Sequence, residues 1–308
     1  MLVFPKDDAP HFSHPMEWWY WHGHLGTQAG KAFGFHLAFF RAFERGRGQN
    51  EVHHAVVDLG TGRVHQGFAA ASKGSLATPD GFALHVGPCE ARGGGGHDRL
   101  IARTPTSALH LAVSSERAAT LHHQEGHTLY EVGGFTLYCS RTRMEAHGTL
   151  EVDGNVQQVQ GRVWFDHQWG RLAPQMNAGW DWFGLQLEDG RDVMLFLRHL
   201  GGGRSGIGAT VVSQDGTWRC LDNADISLAA TAWWTSPHTQ QCYASGWVLG
   251  LEGERFEIVP TCVDQEFRAG RVPYWEGAAN VSGAVCGRAY VELVGTSLVR
   301  AGRGTDVT

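Results

Sequence analysis

The sequence predicts an all-β protein built as two antiparallel β-barrels in tandem. Three observations carry this expectation. Strand-like segments recur at roughly ten-residue spacing, the rhythm of sandwiches and barrels. Glycine is abundant, with 42 residues, and falls in turn positions without a collagen period. Helical periodicity is scarce, and residues 115–125 offer the best short candidate. At 308 residues, the chain is long enough for two domains of ordinary size.

The elements follow in order. Residues 17–25 run aromatic, with Trp18, Trp19, Tyr20 and Trp21 behind Glu17. In 32–43, Phe33, Phe35, Leu37 and Phe39 recur at period two, the pattern of a strand with one face in a core. Residues 53–68 read as a hairpin turning at Asp58-Leu59-Gly60-Thr61-Gly62, where Asp58 caps the turn or projects into a barrel mouth. Residues 81–88 and 107–115 are further strands, and the glycine run in 91–98 is a turn. It is no phosphate loop, because no Lys-Ser/Thr follows it and no helix opens from it. Residues 134–170 hold a hairpin around Val152-Asp153-Gly154-Asn155. A second set of strands begins at Gly179, with a turn at Glu188-Asp189-Gly190, and continues through 207–213, 225–231, 245–251, 255–259 and 287–296. Turn residues between Gly170 and Gly179 mark the boundary, which predicts domains at 1–172 and 173–308.

Bulk properties exclude several functions. A net charge of -6 gives no basis for binding nucleic acid or an anionic membrane surface. The N-terminus has neither a basic segment nor an apolar run, and no stretch of about 18 apolar residues exists, so a cytoplasmic location is expected. The six cysteines form no Cys-x-x-Cys pair and are expected to be free, mostly buried thiols. Among 18 histidines, His22 and His24 share one strand face, while His53-His54 and His122-His123 are adjacent pairs. None gains a third ligand at a diagnostic spacing, so no metal is expected. No nucleophile elbow or nucleotide fingerprint is present either.

Three clusters remain. In 163–170 (VWFDHQWG), strand alternation puts Trp164, Asp166 and Gln168 on one face and His167 and Trp169 on the other. A carboxyl among aromatic rings has its pKa raised by desolvation, as a general acid at neutral pH requires. Indole faces would stabilise a developing carbocation. The alternative is an Asp-His hydrogen bond at a strand end, with the tryptophans as core. Glu17 beside Trp18-Trp19-Tyr20-Trp21 is either a second acid or a structural acceptor for indole N–H groups. Tyr274, Trp275 and Glu276 repeat that chemistry, with Tyr290 and Glu292 on one strand face; the alternative is that they are closing strands of the second barrel.

Taken together, HPMEWWYWHGHL, FGFHLAFFR, YCSRTRM, VWFDHQWG, GWDWFGLQLEDGRDVMLFLR, YWEGA and GRAYVELVG resemble one family, from Phe4 to about Thr296. It is the lipocalin-like carotenoid 1,2-hydratase (hydroxyneurosporene synthase) and AttH-like family. The resemblance implies two lipocalin-like barrels and an apolar cavity that folds a polyene. It implies cofactor-independent chemistry: hydration of a terminal isoprenoid double bond, terpenoid cyclisation, or Diels–Alder reaction in fungal relatives. A non-catalytic binder of apolar small molecules is the remaining alternative.

The hydratases' acid, in a Tyr-x-Asp stretch, matches Asp166, with Trp164 where they carry tyrosine. Tyr138 and Ser140 lie near their His-x-Trp pair. The resemblance therefore implies Asp166 as proton donor, His167 as its orienting or proton-accepting partner, and Glu17 as rival acid. Trp18, Trp19, Tyr20, Tyr138, Trp164, Trp169, Trp180, Trp182, Tyr274, Trp275 and Glu276 would line the substrate site. The partner implied is an apolar isoprenoid or polyene, reached by transient membrane contact, with no nucleic acid and no cofactor. The 95–135 region is shorter than in many relatives.

Overall fold

A computed structural model describes residues 2–295 except 45–46, 80, 116, 124–125, 130–133, 173–178 and 201–203. The first set of strands is β1 (Met16–Gly26), β2 (Ala32–Glu44), β3 (Arg47–Asp58), β4 (Arg63–Ala71), β5 (Ser75–Thr78), β6 (Gly81–Val86) and β7 (Cys89–Gly94). It continues with β8 (His97–Thr104), β9 (Ser107–Ser114), β10 (Thr120–Leu121), β11 (His127–Leu129), β12 (Gly134–Val152) and β13 (Asn155–Leu172). The second set is β14 (Trp180–Leu187), β15 (Asp192–Leu200), β16 (Arg204–Val212), β17 (Trp218–Leu221) and β18 (Ile226–Thr235). It ends with β19 (Cys242–Leu251), β20 (Glu254–Pro260), β21 (Glu266–Phe267), β22 (Tyr274–Gly283) and β23 (Gly287–Val294). No α-helix occurs among the described residues, so none is long and apolar enough to cross a membrane.

The turns are chemically determined. Asp153 and Gly154 have φ of 50° and 79°, the left-handed pair that a two-residue hairpin needs to match strand twist. Asp58 Oδ1 accepts the backbone N–H groups of Gly60 and Thr61, capping its turn. The helix expected within 115–125 is corrected. Thr120 and Leu121 pair with Ser140 and Cys139 as β10, and this long-range pairing overrides a weak local pattern.

The chain divides into two compact units, Met1–Leu172 with Ala269–Arg271, and Ala173–Arg268 with Val272–Thr308. The boundary expected between Gly170 and Gly179 falls mainly on residues outside the described ones. The first unit is a 13-stranded antiparallel sheet in the order β4-β3-β2-β1-β13-β12-β9-β8-β7-β6-β5, with β10 and β11 on β12. First and last strands pair at its centre. Its edge strands, β4 and β5, are consecutive in the chain. The sheet curls until β3 and β4 pack across β6 and β8, where the imidazole of His54 in β3 meets the Arg103 carbonyl at 2.9 Å.

The second unit repeats this logic. Its 10-stranded sheet runs β17-β16-β15-β14-β23-β22-β20-β19-β18, with β14 on β23 at the centre and β21 on β22. Each sheet wraps its own apolar core, built from Phe33, Phe35, Leu37, Phe39 and Phe165 in one unit and Phe183, Leu195, Trp247 and Phe256 in the other. The chain is thus all-β, with tandem lipocalin-like antiparallel sheets. Cys89 and Cys139 are buried, but Cys220, Cys242 and Cys286 are exposed, which corrects the expectation of mostly buried thiols. They lie on or beside strands whose outward positions face water.

One close approach tests the register. A Cβ at Gly161, in β13, would stand 1.9 Å from the His24 carbonyl oxygen of β1. Gly161→Ala must push two central strands apart, and is expected to cost about 1–3 kcal/mol in urea-denaturation stability.

Candidate functional site

The central strands of the first unit are buried on both faces, which is why β1 reads as a nearly continuous aromatic run. Alternation sorts that run. Trp19 and Trp21 enter the core cluster, as Phe39 and Phe165 do from neighbouring strands. Trp18, Tyr20, His22 and His24 take the other face, opposite Gln168, Asp166, Trp164 and Arg162 of β13. Ser140 and Tyr138 of β12 lie on this same face, opposite Asp166 and Gln168.

Asp166 is the centre of this face. Its Oδ1 accepts hydrogen bonds from Trp164 Nε1 (2.7 Å) and from the Ser140 hydroxyl. Its Oδ2 accepts the Tyr138 hydroxyl at 2.9 Å. Burial pushes its pKa up from 3.8 to about 7, against the three donors, which act to lower it. A carboxyl in this setting holds a proton near neutral pH, as a general acid must. Removing a donor to the charged form should raise the pKa further. Tyr138→Phe is expected to shift the Asp166 midpoint upward by roughly one pH unit, read from its infrared carbonyl band.

The register explains how these groups meet. From the hairpin, Val152 pairs with Asn155 and Met144 with Val163. Carried back unbroken, that pairing would put Arg141 opposite Asp166. A bulge between Arg141 and Met144 shifts the register by one residue, so Ser140 takes the place instead. A guanidinium there would have paired the carboxylate and held its pKa down.

Several expected site residues lie elsewhere, which corrects the sequence reading. His167 does not touch Asp166, because neighbouring strand residues point to opposite faces. Its Nε2 bonds Glu17 Oε1 at 2.9 Å instead. Trp19 is fully buried in the core, where its Nε1 donates to the Asp8 carbonyl. Trp169 is on the His167 face, stacked on His11 at 3.8 Å between ring centroids. Trp275 belongs to the core of the second unit and donates to the Val263 carbonyl. In that unit Trp182, Tyr274 and Glu276 are buried on the sheet face away from the core, with Trp180 half-buried and donating to Glu292 at 2.9 Å. Burial, then the Glu276 and Glu292 charges, raises the Tyr274 phenol well above its usual range.

Glu17 is a different kind of carboxylate. Its oxygens accept the His11 backbone N–H, His11 Nδ1 (2.8 Å), His167 Nε2 and the Arg41 guanidinium (2.9 and 3.1 Å). Burial pushes it up, but the hydrogen bonds from His11 and His167 prevail and hold it down at about 2. His11, Glu17 and His167 offer ligand atoms within 4.8 Å of one another. The guanidinium on the second oxygen opposes any further cation, so the group reads as a hydrogen-bonded cluster that ties the N-terminal segment to the barrel. Sequence reasoning missed His11, Arg41 and the place of His122, whose Nε2 lies 2.6 Å from Ser140 Oγ. His11 and Arg41 carry no motif, and His122 gains its place only through β10.

A family model described as AttH-like matches residues 1–296. The chain belongs to the AttH-like family. Among solved structures, this AttH-like protein is similar to a putative AttH from Nitrosomonas europaea, at 24% identity and a TM-score of 0.88, over 96% of this chain and 97% of that one. It is also similar to kievitone hydratase from Nectria haematococca, at 16% identity and a TM-score of 0.76, over 96% of this chain and 93% of that one. These likenesses establish the shared fold. No curated protein matches the AttH-like chain in sequence.

Proposed function

We propose that this AttH-like protein is a cofactor-independent enzyme that protonates a carbon–carbon double bond of an isoprenoid or polyene. The reading rests on one observation above all: Asp166 is buried among aromatic rings with its pKa raised to about 7. The Oδ2–H proton passes to one alkene carbon, and the π pair forms the new C–H bond. The neighbouring carbon becomes a cation. Water adds with loss of a proton, or a second double bond closes a ring, and a proton returns to the carboxylate. Trp164 lies against Asp166, and Tyr20 stands opposite it across the strands; their ring faces would stabilise the cation.

The test incubates purified protein with lycopene, neurosporene and squalene-like substrates and follows products by mass spectrometry. Hydration adds one water to the mass, whereas cyclisation leaves it unchanged. Conversion that persists in Asp166→Asn would point to a pericyclic reaction, which needs shape rather than an acid. No conversion, with an apolar molecule co-purifying in native mass spectrometry, would point to a binding protein.

A further inference from the structure

The face around Asp166 holds a titratable ring that the proposed reaction does not use. His122 follows β10, is fully buried, and packs on the Tyr138 ring at 4.2 Å between centroids. Its backbone N–H donates to the Tyr138 carbonyl at 3.2 Å, which fixes it beside β12. Its Nε2 lies 2.6 Å from Ser140 Oγ, and the Ser140 hydroxyl bonds Asp166 Oδ1. Three side chains therefore form a linear chain, His122 to Ser140 to Asp166.

A serine hydroxyl has one hydrogen, so the chain has a direction. We infer that His122 is a positioning residue for Asp166: its Nε2–H donates to Ser140 Oγ, which commits the Ser140 hydrogen to Oδ1 and leaves the acidic proton on Oδ2. The accounting closes on this arrangement. Oδ1 acts as the carbonyl oxygen, its two lone pairs taken by Ser140 and Trp164. Oδ2 is the hydroxyl oxygen, accepting from Tyr138 and carrying the transferable hydrogen.

The reverse direction has a different consequence. If Ser140 donated to His122, Oδ1 would have to carry the acid hydrogen and spend it on Ser140. The Trp164 indole N–H would then compete for the same oxygen. The proton would be held in a chain ending on a ring that burial, and secondarily His123, keeps neutral. Such an acid would serve its own scaffold rather than a substrate. The direction of one hydroxyl thus decides which carboxyl oxygen is the acid.

This inference rests on the assignment of Asp166 as the acid, but its test does not need turnover. Two-bond 1H–15N correlation of the His122 ring in the whole protein reads its tautomer directly. The Nε2–H form is expected at pH 7 and above, and the Nδ1–H form would overturn the inference. The second measurement is the Asp166 midpoint, from the infrared carbonyl band assigned against Asp166→Asn. Ser140→Ala should raise that midpoint by roughly one pH unit, the loss of one donor to a carboxylate. His122→Phe should raise it in the same direction by a smaller amount, because the freed hydroxyl leaves Oδ1 part of the time. His122→Gln, which keeps an N–H donor, should restore the wild-type midpoint. A midpoint unmoved in His122→Phe but raised in Ser140→Ala would also overturn the inference. Should Asp166→Asn retain conversion, the reaction assignment falls, while tautomer and midpoint still decide the role of His122.

Discussion

Asp166→Asn is expected to reduce conversion of the isoprenoid substrate by at least about 100-fold while leaving the protein folded. The substitution mimics the protonated acid. The amide oxygen can accept Ser140 and Trp164 as Oδ1 does, and the amide nitrogen can face Tyr138, whose hydroxyl is able to accept. The Tyr138 hydroxyl loses its acceptor at Oδ2, so turnover is read beside the urea midpoint at low pH, which reports that cost separately from the missing proton.

The same variant should be the more stable protein above neutral pH. Burial raises the Asp166 carboxyl from 3.8 to about 7, so the folded state binds this proton more tightly than the unfolded state does. Its contribution is fullest below pH 3.8 and is lost as pH rises through about 7. Above that point ionisation costs the folded state up to about 4 kcal/mol. Asparagine cannot ionise. Urea midpoints measured against pH should therefore fall for wild type across this window and lack that component in Asp166→Asn. Superimposable curves would mean an ordinary carboxyl, and the acid assignment would lose its main support.

Parts of this site were legible in the sequence because they depend on period two alone. Phe33, Phe35, Leu37 and Phe39 announce a core-facing strand, and the same alternation separates Asp166 from His167. Asp153-Gly154 and Asp58 mark turns through local chemistry that needs no tertiary partner. What could not be read is what depends on register. The bulge at Arg141–Met144 decides whether serine or arginine faces Asp166, and no residue there advertises it. The tryptophans mislead for a related reason. A strand buried on both faces can carry aromatic residues on both, so composition cannot say that Trp19 and Trp275 belong to cores while Trp164 donates to Asp166. His122 lies beyond any pattern, since a two-residue strand carries it to Ser140.

Glu17→Gln is expected to destabilise the first unit by about 3–5 kcal/mol, the cost of breaking a buried, hydrogen-bonded charge pair from one side. The Arg41 guanidinium would lose its counter-charge at Glu17 while remaining tied to the His11 and His14 carbonyls at 2.7 and 3.1 Å. A glutamine offers one acceptor oxygen where the carboxylate offers two, so its amide nitrogen faces either Arg41, which cannot accept, or the His11 and His167 ring nitrogens, which must change tautomer to accept. The pH dependence has the opposite sign from that of Asp166. Glu17 is held at about 2 against an ordinary 4.5, so its stabilisation is present above 4.5 and is lost as pH falls through about 2. Wild type should therefore lose about 3 kcal/mol on that acid limb, and Glu17→Gln should not. Urea midpoints across the acid range, with hydrogen exchange of the N-terminal segment, measure both effects. The outcome also separates the two carboxylates. A carboxylate that stays ionised down to about pH 2 has no proton to give at neutral pH, so the residual folded enzyme should retain its turnover per molecule. If Glu17→Gln instead abolished turnover with its urea midpoint unchanged, Glu17 would be the acid and Asp166 the scaffold.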